Sequence, residues 1–311
     1  CIINAGLNTK KIGTMYMTIP RRIAIKAVFI GLESAKDAAM KAPTATGGVK
    51  DEIELARMSP KEFRSIVADG KWTGSTMNAC RDYVQANLVI VPRNVAFDFL
   101  LFCIRNPKPC PILEVGDPGD PYTKLVAMRA DITTDLPGYQ ILENGKVVAE
   151  PTDIREYWKD DYVFYLLGCS LSFEWLFKAA DIQYRFIGTY KSNIQVIPVG
   201  RFTGYYVVTC RLFRGAYDAI RAVEITTRYP RVHGGPVHIG SPATIGIEDL
   251  YHPLRPVSSS PIEPMAPDEV PLFWACGVTP RNIAAEVKLP LMITHGVGRS
   301  FVTDWLTREL T

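Results

Sequence analysis

No Cys-x-x-Cys pair occurs in this sequence, and its seven cysteines, at 1, 80, 103, 110, 169, 210 and 276, are odd in number and widely spaced. The paired spacing of a structural zinc site is missing, as is the pattern of a disulfide framework. Reduced thiols in an intracellular protein are the expected state. Histidine is scarce, with only 233, 238, 252 and 295. The five-residue step from His233 to His238 does not put both on one helix face as H-E-x-x-H does. A metal site built from His233, His238 and His295 is therefore not expected, and no organic cofactor is called for. G-x-G-x-x-G, the P-loop and G-x-S-x-G are all absent, which removes the usual support for nucleotide binding and serine-hydrolase chemistry. The longest apolar stretch, 162–173, stops at Glu174, short of the ~20 residues a spanning helix needs. No basic stripe interleaved with aromatics points to nucleic acid, and no fixed-period repeat points to a solenoid or coiled coil.

What remains is an ordinary globular composition. Apolar residues make up 47% and charged residues 22% of 311 residues, enough for a sizeable core and for about two domains at ~150 residues each. Lys and Arg total 35 against 32 Asp and Glu, a net of 35 − 32 = +3. The imbalance is local. Residues 1–32 hold Lys10, Lys11, Arg21, Arg22 and Lys26 and no acid, so the remaining 279 residues carry 35 − 5 = 30 bases against 32 acids. An acid-free, mildly amphipathic basic segment has the look of a mitochondrial transit peptide, and a leader without a role of its own fits equally well. The first reading implies the mitochondrial matrix, the second the cytoplasm. Lys26 interrupts the apolar stretch 23–32, which argues against a secretory signal. Residues 1–50 are expected to be an extension, with the folded part starting near residue 51.

Ser59 followed by Pro60 predicts a capped helix start, and 88–91 reads as a buried strand ended by Pro92. A helix over 96–105 would present Phe97, Leu100, Leu101 and Ile104 on one face, and 112–115 reads as a strand. Asn144-Gly145 between two β-prone runs is the favoured pair of a two-residue hairpin. Strands are predicted at 162–167, 205–212, 272–275 and 291–294, and helices at 173–180, 215–229, 243–250 and 280–287. Alternating strands and helices predict an α/β fold. The expectation is a mixed, largely parallel sheet with helices on both faces, formed by 51–112 and 215–311, and a smaller inserted α+β domain over 113–214.

Three junctions between strand and helix draw attention. At Gly168-Cys169-Ser170, with Ser172 close behind, a cysteine and two serines stand where a helix starts. At Cys276-Gly277-Val278-Thr279-Pro280, Thr279 is the expected N-cap. The third is Gly240-Ser241-Pro242. Free N–H groups at such starts favour anions, and in an α/β sheet such junctions gather at a ligand site. A small buried cysteine is more often core than nucleophile. His295 follows a strand and precedes Gly296, a position suited to an active-site loop.

Several strings taken together resemble one family: YVQANL (83–88), FDFLLFC (97–103) with NPKPC (106–110), LLGCSLSFE (166–174), GRF (200–202), VHGGPVH (232–238), FWACGVTP (273–280) and ITH (293–295). The chain resembles the D-glutamate cyclase family, whose bacterial members often carry a hydro-lyase label, from about Ser59 to Asp304. Two departures stand out. The stretch from Gly74 to Arg81 replaces a Gly-Pro-Thr segment, and Arg299 stands where the family commonly has His. The resemblance implies a two-part α/β fold and the conversion of D-glutamate to 5-oxo-D-proline and water.

Such a site must hold two carboxylates, take a proton from an ammonium and stabilise an oxyanion. The helix starts at Cys169-Ser170 and Gly277-Thr279 are candidates for carboxylate and oxyanion, and Arg201 or Arg228 for a bidentate grip on the α-carboxylate. His295 or His238 is the candidate base. Cys169 and Cys276 complete the catalytic set, with positioning favoured over covalent attack because a carboxylate is a poor electrophile. The expected partner is a small carboxylate, with neither nucleic acid nor membrane, and self-association into a homo-oligomer is compatible with this reading. Two alternatives stand beside it: a non-catalytic binder of a small carboxylate, and a hydro-lyase acting on a hydroxy acid.

Overall fold

The computed structural model describes residues 52–311 except 258 and 259; the basic segment and the rest of the expected extension, 1–50, lie outside the described residues. Two short helices come first, α1 (Glu52–Arg57) and α2 (Pro60–Ala68), followed by β1 (Tyr83–Pro92), α3 (Arg93–Arg105) and β2 (Ile112–Val115). The middle of the chain forms β3 (Tyr139–Glu143), β4 (Lys146–Ala149), β5 (Tyr162–Gly168), α4 (Glu174–Ala179), β6 (Tyr184–Gln195), β7 (Tyr205–Arg214) and α5 (Gly215–Thr227). Then come β8 (His238–Ile239), β9 (Arg255–Pro256), β10 (Glu269–Ala275), α6 (Thr279–Glu286), β11 (Leu291–His295) and β12 (Phe301–Leu306).

Local signals are honoured where side chains act on their own backbone. Ser59 caps α2, and Glu62 completes the box by accepting from the Ser59 N–H at 3.0 Å, two orphan donors satisfied at once. The hairpin β3–β4 turns at Asn144 and Gly145, both with positive φ (48° and 79°), the geometry that makes this dipeptide favoured there.

The strands form two sheets, one in the order β2-β5-β1-β11-β3-β4 with β12 also on β1, the other in the order β8-β10-β7-β6-β9. Every pairing among the described residues is antiparallel. The expected largely parallel sheet is therefore corrected to a mixed α/β fold with antiparallel sheets. The misleading signal was the alternation of strands and helices along the chain, and the apolar runs 88–91 of β1 and 162–167 of β5 have the look of parallel strands buried on both faces. The runs are indeed buried on both faces, for another reason. Leu88, Ile90, Phe164 and Leu166 feed a core shared with Phe213, Leu272 and Trp274 of the second sheet. The alternate residues Val89, Val91, Val163 and Tyr165 feed another, under Phe99 and Phe102 of α3 and Ile283 of α6. Residues 113–214 contribute strands to both sheets.

Three smaller expectations also change. Helix α3 buries Ala96, Phe99, Phe102 and Cys103, leaving Phe97 73% and Ile104 60% exposed. Both stripes have helical spacing, and ring contacts decide between them: Phe99 meets Tyr165 edge-on at 4.8 Å and Phe202 at 5.4 Å. Over 243–250 only a 3₁₀ turn forms, Pro242–Ile245, ended by left-handed Gly246 with no side-chain cap from Ser241. Thr279 is the first residue of α6 rather than its cap, which is Val278.

Candidate active site

The central strand β1 carries two polar side chains, Gln85 and Asn87, 2% and 4% exposed, in an otherwise apolar run. Polar groups this deep must find partners, and theirs organise the site. Gln85 is bracketed by Thr76: its Oε1 accepts the Thr76 hydroxyl at 2.9 Å and its Nε2 donates to the Thr76 carbonyl at 2.7 Å. Thr76 Oγ1 also accepts from the Ser300 N–H at 3.0 Å. Asn87 donates from Nδ2 to the Gly168 carbonyl at 3.1 Å. On its other side the same amide fills the space where a Cβ on Gly277 would stand. Asn87 thus lies between the two cysteine-bearing junctions, one from each sheet.

These junctions are built alike. The Cys169 N–H donates to the Gln85 carbonyl at 2.9 Å, and the Cys276 N–H to the Val207 carbonyl at 2.9 Å. Each sulfur receives the N–H two residues on, that of Leu171 or Val278. Ser300 adds a hydroxyl to Cys169 Sγ at 3.8 Å. Burial outweighs these donors: it pushes the Cys169 thiol up, and that of Cys276 up to about 11. Both stay protonated at neutral pH and so are poor nucleophiles. The Cys169 junction passes through a 3₁₀ turn, Ser170–Phe173, before the six-residue α4.

His295 ends β11, next to a gap in the sheet. On that edge, β1 pairs with β12 up to Ala86 and with β11 from Val89 onward. Leu88 falls between, and the His295 imidazole takes the place of a strand. Nδ1 lies 3.2 Å from the Leu88 N–H and 3.4 Å from its carbonyl. Leu88 can therefore give a proton bond to Nδ1 or accept one from it, so either neutral tautomer is supported. Burial pushes the imidazole down to about 4, and the charges of Arg255 and Arg281 act in the same direction.

Those two arginines belong to the site although the sequence did not single them out. Arg281, on the first turn of α6, donates from Nε to Gln140 Oε1 at 2.7 Å, and Gln140 in turn bonds the Glu150 carboxylate. Arg255 lies on edge strand β9, and its charge acts on both Cys276 and His295. Arg211 is the third cation. It is fully buried among Phe173, Phe186 and Trp274, with its charge met by Glu174. Glu174 also accepts the Tyr184 hydroxyl. This group borders a cavity of about 390 Å³ lined by Met77, Asn78, Glu174, Trp175, Tyr184 and Phe186.

Of the residues picked from sequence, Cys169, Ser170, Cys276, Gly277 and His295 come together. Ser170 Oγ accepts from Arg211 at 3.4 Å. The hydroxyls of Ser172 and Thr279 are committed to backbone: Ser172 accepts from the Gln85 N–H at 2.9 Å, and Thr279 joins Val207 to the Cys276 carbonyl at 3.0 and 2.8 Å. His238 bonds the Ser241 carbonyl at 2.8 Å through Nε2 and packs on Phe273. Arg201 is exposed and Arg228 is the exposed C-cap of α5; the structure brings neither to the cluster. His233 is buried on the Lys108 carbonyl at 2.7 Å, and His252 is an exposed partner of Asp249. Among the described residues no three His, Cys, Asp or Glu side chains converge as metal ligands. Arg299 lies over Gly138 and Gly296, against the loop after His295. Beside the three strand ends that carry Cys169, Cys276 and His295, the polar pair Gln85 and Asn87 inside a buried strand was a further sequence signal for this geometry.

A family profile described as D-glutamate cyclase matches residues 163–304. A protein of Thermoanaerobacter sp. (strain X514) named "Putative hydro-lyase" is 46% identical over 260 residues, 82% of this chain and 96% of its own. The chain belongs to the D-glutamate cyclase family. "Putative hydro-lyase YcsI" of Bacillus subtilis is 46% identical over 253 residues, 79% of this chain and 96% of its own, and the Geobacillus kaustophilus hydro-lyase is 44% identical over 261. Membership makes the protein a carbon–oxygen lyase of the hydro-lyase class. These D-glutamate cyclase relatives are bacterial, so they lend the transit-peptide reading no support. No helix among the described residues is long and apolar enough to cross a membrane. A nitrogen repressor-like protein of Methanococcus jannaschii superposes on 78% of this chain with a TM-score of 0.33 at 11% identity.

Proposed function

We propose that the protein converts D-glutamate to 5-oxo-D-proline and water. The α-amine attacks the γ-carboxyl carbon, a C–N bond forms, and one carboxyl oxygen leaves as water. The observation that carries this reading is the meeting of the two cysteine junctions at Asn87 beside a neutral His295, in a region where positive charge is concentrated. A substrate with two carboxylates suits that charge. The substrate ammonium must lose a proton before it attacks, and His295 Nε2 is the group for it. With Nδ1–H directed at the Leu88 carbonyl, Nε2 presents its lone pair. The depressed basicity of the empty site rises when bound carboxylates offset the neighbouring guanidiniums. Cys169 and Cys276 act as thiols that shape and polarise the pocket, not as covalent nucleophiles. The chain is read as acting without an organic cofactor or metal.

The test is direct. Purified protein incubated with D-glutamate should yield 5-oxo-D-proline, seen by mass spectrometry as a loss of 18 Da and resolved from the L-form by chiral chromatography. D-glutamate left unchanged, with a hydroxy acid dehydrated instead, would establish the hydro-lyase alternative. Binding of D-glutamate without turnover would establish the binder.

A further inference from the structure

The buried Arg64 and Arg211 and the partly buried Arg185 have acids as direct partners. Arg64 meets Asp304 at 2.9 Å and Asp135 at 3.8 Å, Arg185 meets Glu269 at 2.6 Å, and Arg211 is held by Glu174. Arg255 and Arg281 have none, as is true of Arg221, which donates to the Ala180 carbonyl, and of Arg299. Arg255 and Arg281 are both half-buried. The Arg255 guanidinium has no hydrogen bond or ion pair among the described residues, and Arg281 has only the neutral Gln140 amide. Each lies within reach of the other's charge, which disfavours both cations. Glu150, bonded to Gln140, is the acid whose charge favours both cations, and it forms a direct ion pair with neither. Two half-buried like charges that share one carboxylate at a distance favour a further anion between them.

Register places both toward the same chemistry. Arg255 stands opposite Thr189, Thr189 opposite Thr209, and Thr209 opposite Trp274. Residues directly opposite share a face, so Arg255 lies on the face of the second sheet that carries Thr209 and Trp274, and Trp274 packs into the core shared with the first sheet. Gln140, which holds Arg281, pairs with Thr294, and Thr294 with Val89. Gln140 and Arg281 therefore lie on the face of the first sheet that carries Val89 and Asn87, beside the Cys276 junction, and His295 meets the same strand at Leu88. With Nε fixed by Gln140, the Nη groups of Arg281 are unclaimed and suited to a two-point carboxylate contact.

We propose that Arg255 and Arg281 each hold one carboxylate of a short-chain dicarboxylate bound beside His295, with Gln140 as the positioning residue for Arg281. This assignment rests on reading the site as one for D-glutamate and names the groups that would grip it. It places the arginines of the site at 255 and 281 rather than at 201 or 228.

The probe is glutarate, which has both carboxylates and no amine, compared with butyrate, which has one. Calorimetric titration of the full chain should show glutarate binding about 10-fold or more tighter than butyrate, since one charge-assisted contact is lost. Arg255→Met and Arg281→Met should each bring glutarate down toward the butyrate level, with the Lys variants between. Arg105→Met, at an exposed helix end, should change nothing. Thermal melts of the Lys variants, which keep the charge, guard against misfolding. Gln140→Leu should weaken glutarate through Arg281 alone, with no added loss in the Arg281→Met background. Native glutarate affinity in both Met variants, or no glutarate binding by the native chain, would overturn the proposal. Glutarate binding lost in both variants, with D-glutamate never turned over by the native chain, would leave the clamp standing and remove the cyclase reading. Normal D-glutamate turnover in both variants would do the reverse.

Discussion

Asn87 and Gly277 share one space: the amide of the first occupies the position where any side chain on the second would begin. The contact joins the central strand of one sheet to the end of β10 in the other, and it holds the Cys169 and Cys276 junctions in one site. Gly277→Ala should destabilise the protein by about 1–3 kcal/mol, the usual cost of overpacking. Asn87→Ala should cost stability too, because the hydrogen bond to the Gly168 carbonyl is lost. The double variant should be more stable than the sum of the single effects, since removing the amide makes room for the new methyl. Denaturant midpoints for the four proteins check this, and strict additivity would contradict it.

His295 and His233 are both pushed down to about 4 by burial, below the ordinary histidine value of ~6.5. Between these values the unfolded chain binds protons that the folded protein does not, so stability is full above pH ~6.5 and declines as pH falls toward 4. The slope of unfolding free energy against pH in that window should report close to two protons, and close to one in His295→Gln. The same shift bears on catalysis. The profile of kcat/KM, which reflects the free enzyme, should stay level below pH 6.5 where an ordinary histidine base would already have lost activity.

His295→Ala should lower kcat/KM by ~10²–10⁴-fold, the usual contribution of a positioned base. Cys169→Ser should keep measurable turnover. Iodoacetamide at pH 7 should leave Cys169 and Cys276 largely unlabelled, because both thiols are protonated and Cys169 is buried as well. An acyl-enzyme adduct on Cys169 would contradict the positioning role.

Arg211→Leu should be among the most damaging single changes in the molecule. It strands Glu174 beside the cavity, leaves Ser170 without its donor and empties the space between three aromatic rings. Breaking a buried pair from one side costs about 3–5 kcal/mol. A thermal melt of the variant measures it, and a change near zero would show that the network is dispensable.

Signals read over a few residues survived into the structure. The Ser59 cap, the Asn144-Gly145 turn and the strand at Ile112–Val115 depend on neighbours in sequence. Strand direction did not survive, because a doubly buried run looks the same whether its partner is parallel or antiparallel. The β6 strand was not foreseen. Its alternation is interrupted by a bulge near Gly188, the buried position 192 is a serine, and its pairing depends on β7 and β9, which come later in the chain. The cluster of Cys169, Cys276 and His295 was legible as three strand ends. Arg255 and Arg281 were not, because an arginine without a direct ion pair can be recognised only once its surroundings are known.

The gap that His295 fills in the first sheet makes Leu88 an internal gauge. Its amide proton is bound by an imidazole nitrogen instead of a strand carbonyl. In the tautomer that leaves Nε2 free as the base, Nδ1 carries the proton and faces the Leu88 carbonyl, so the amide loses its acceptor; in the other tautomer the amide keeps it. The Leu88 amide resonance should therefore move when Nδ1 gains or loses its proton. One nitrogen-15 label at that residue would follow the imidazole, through substrate binding and release, without any probe attached to the site.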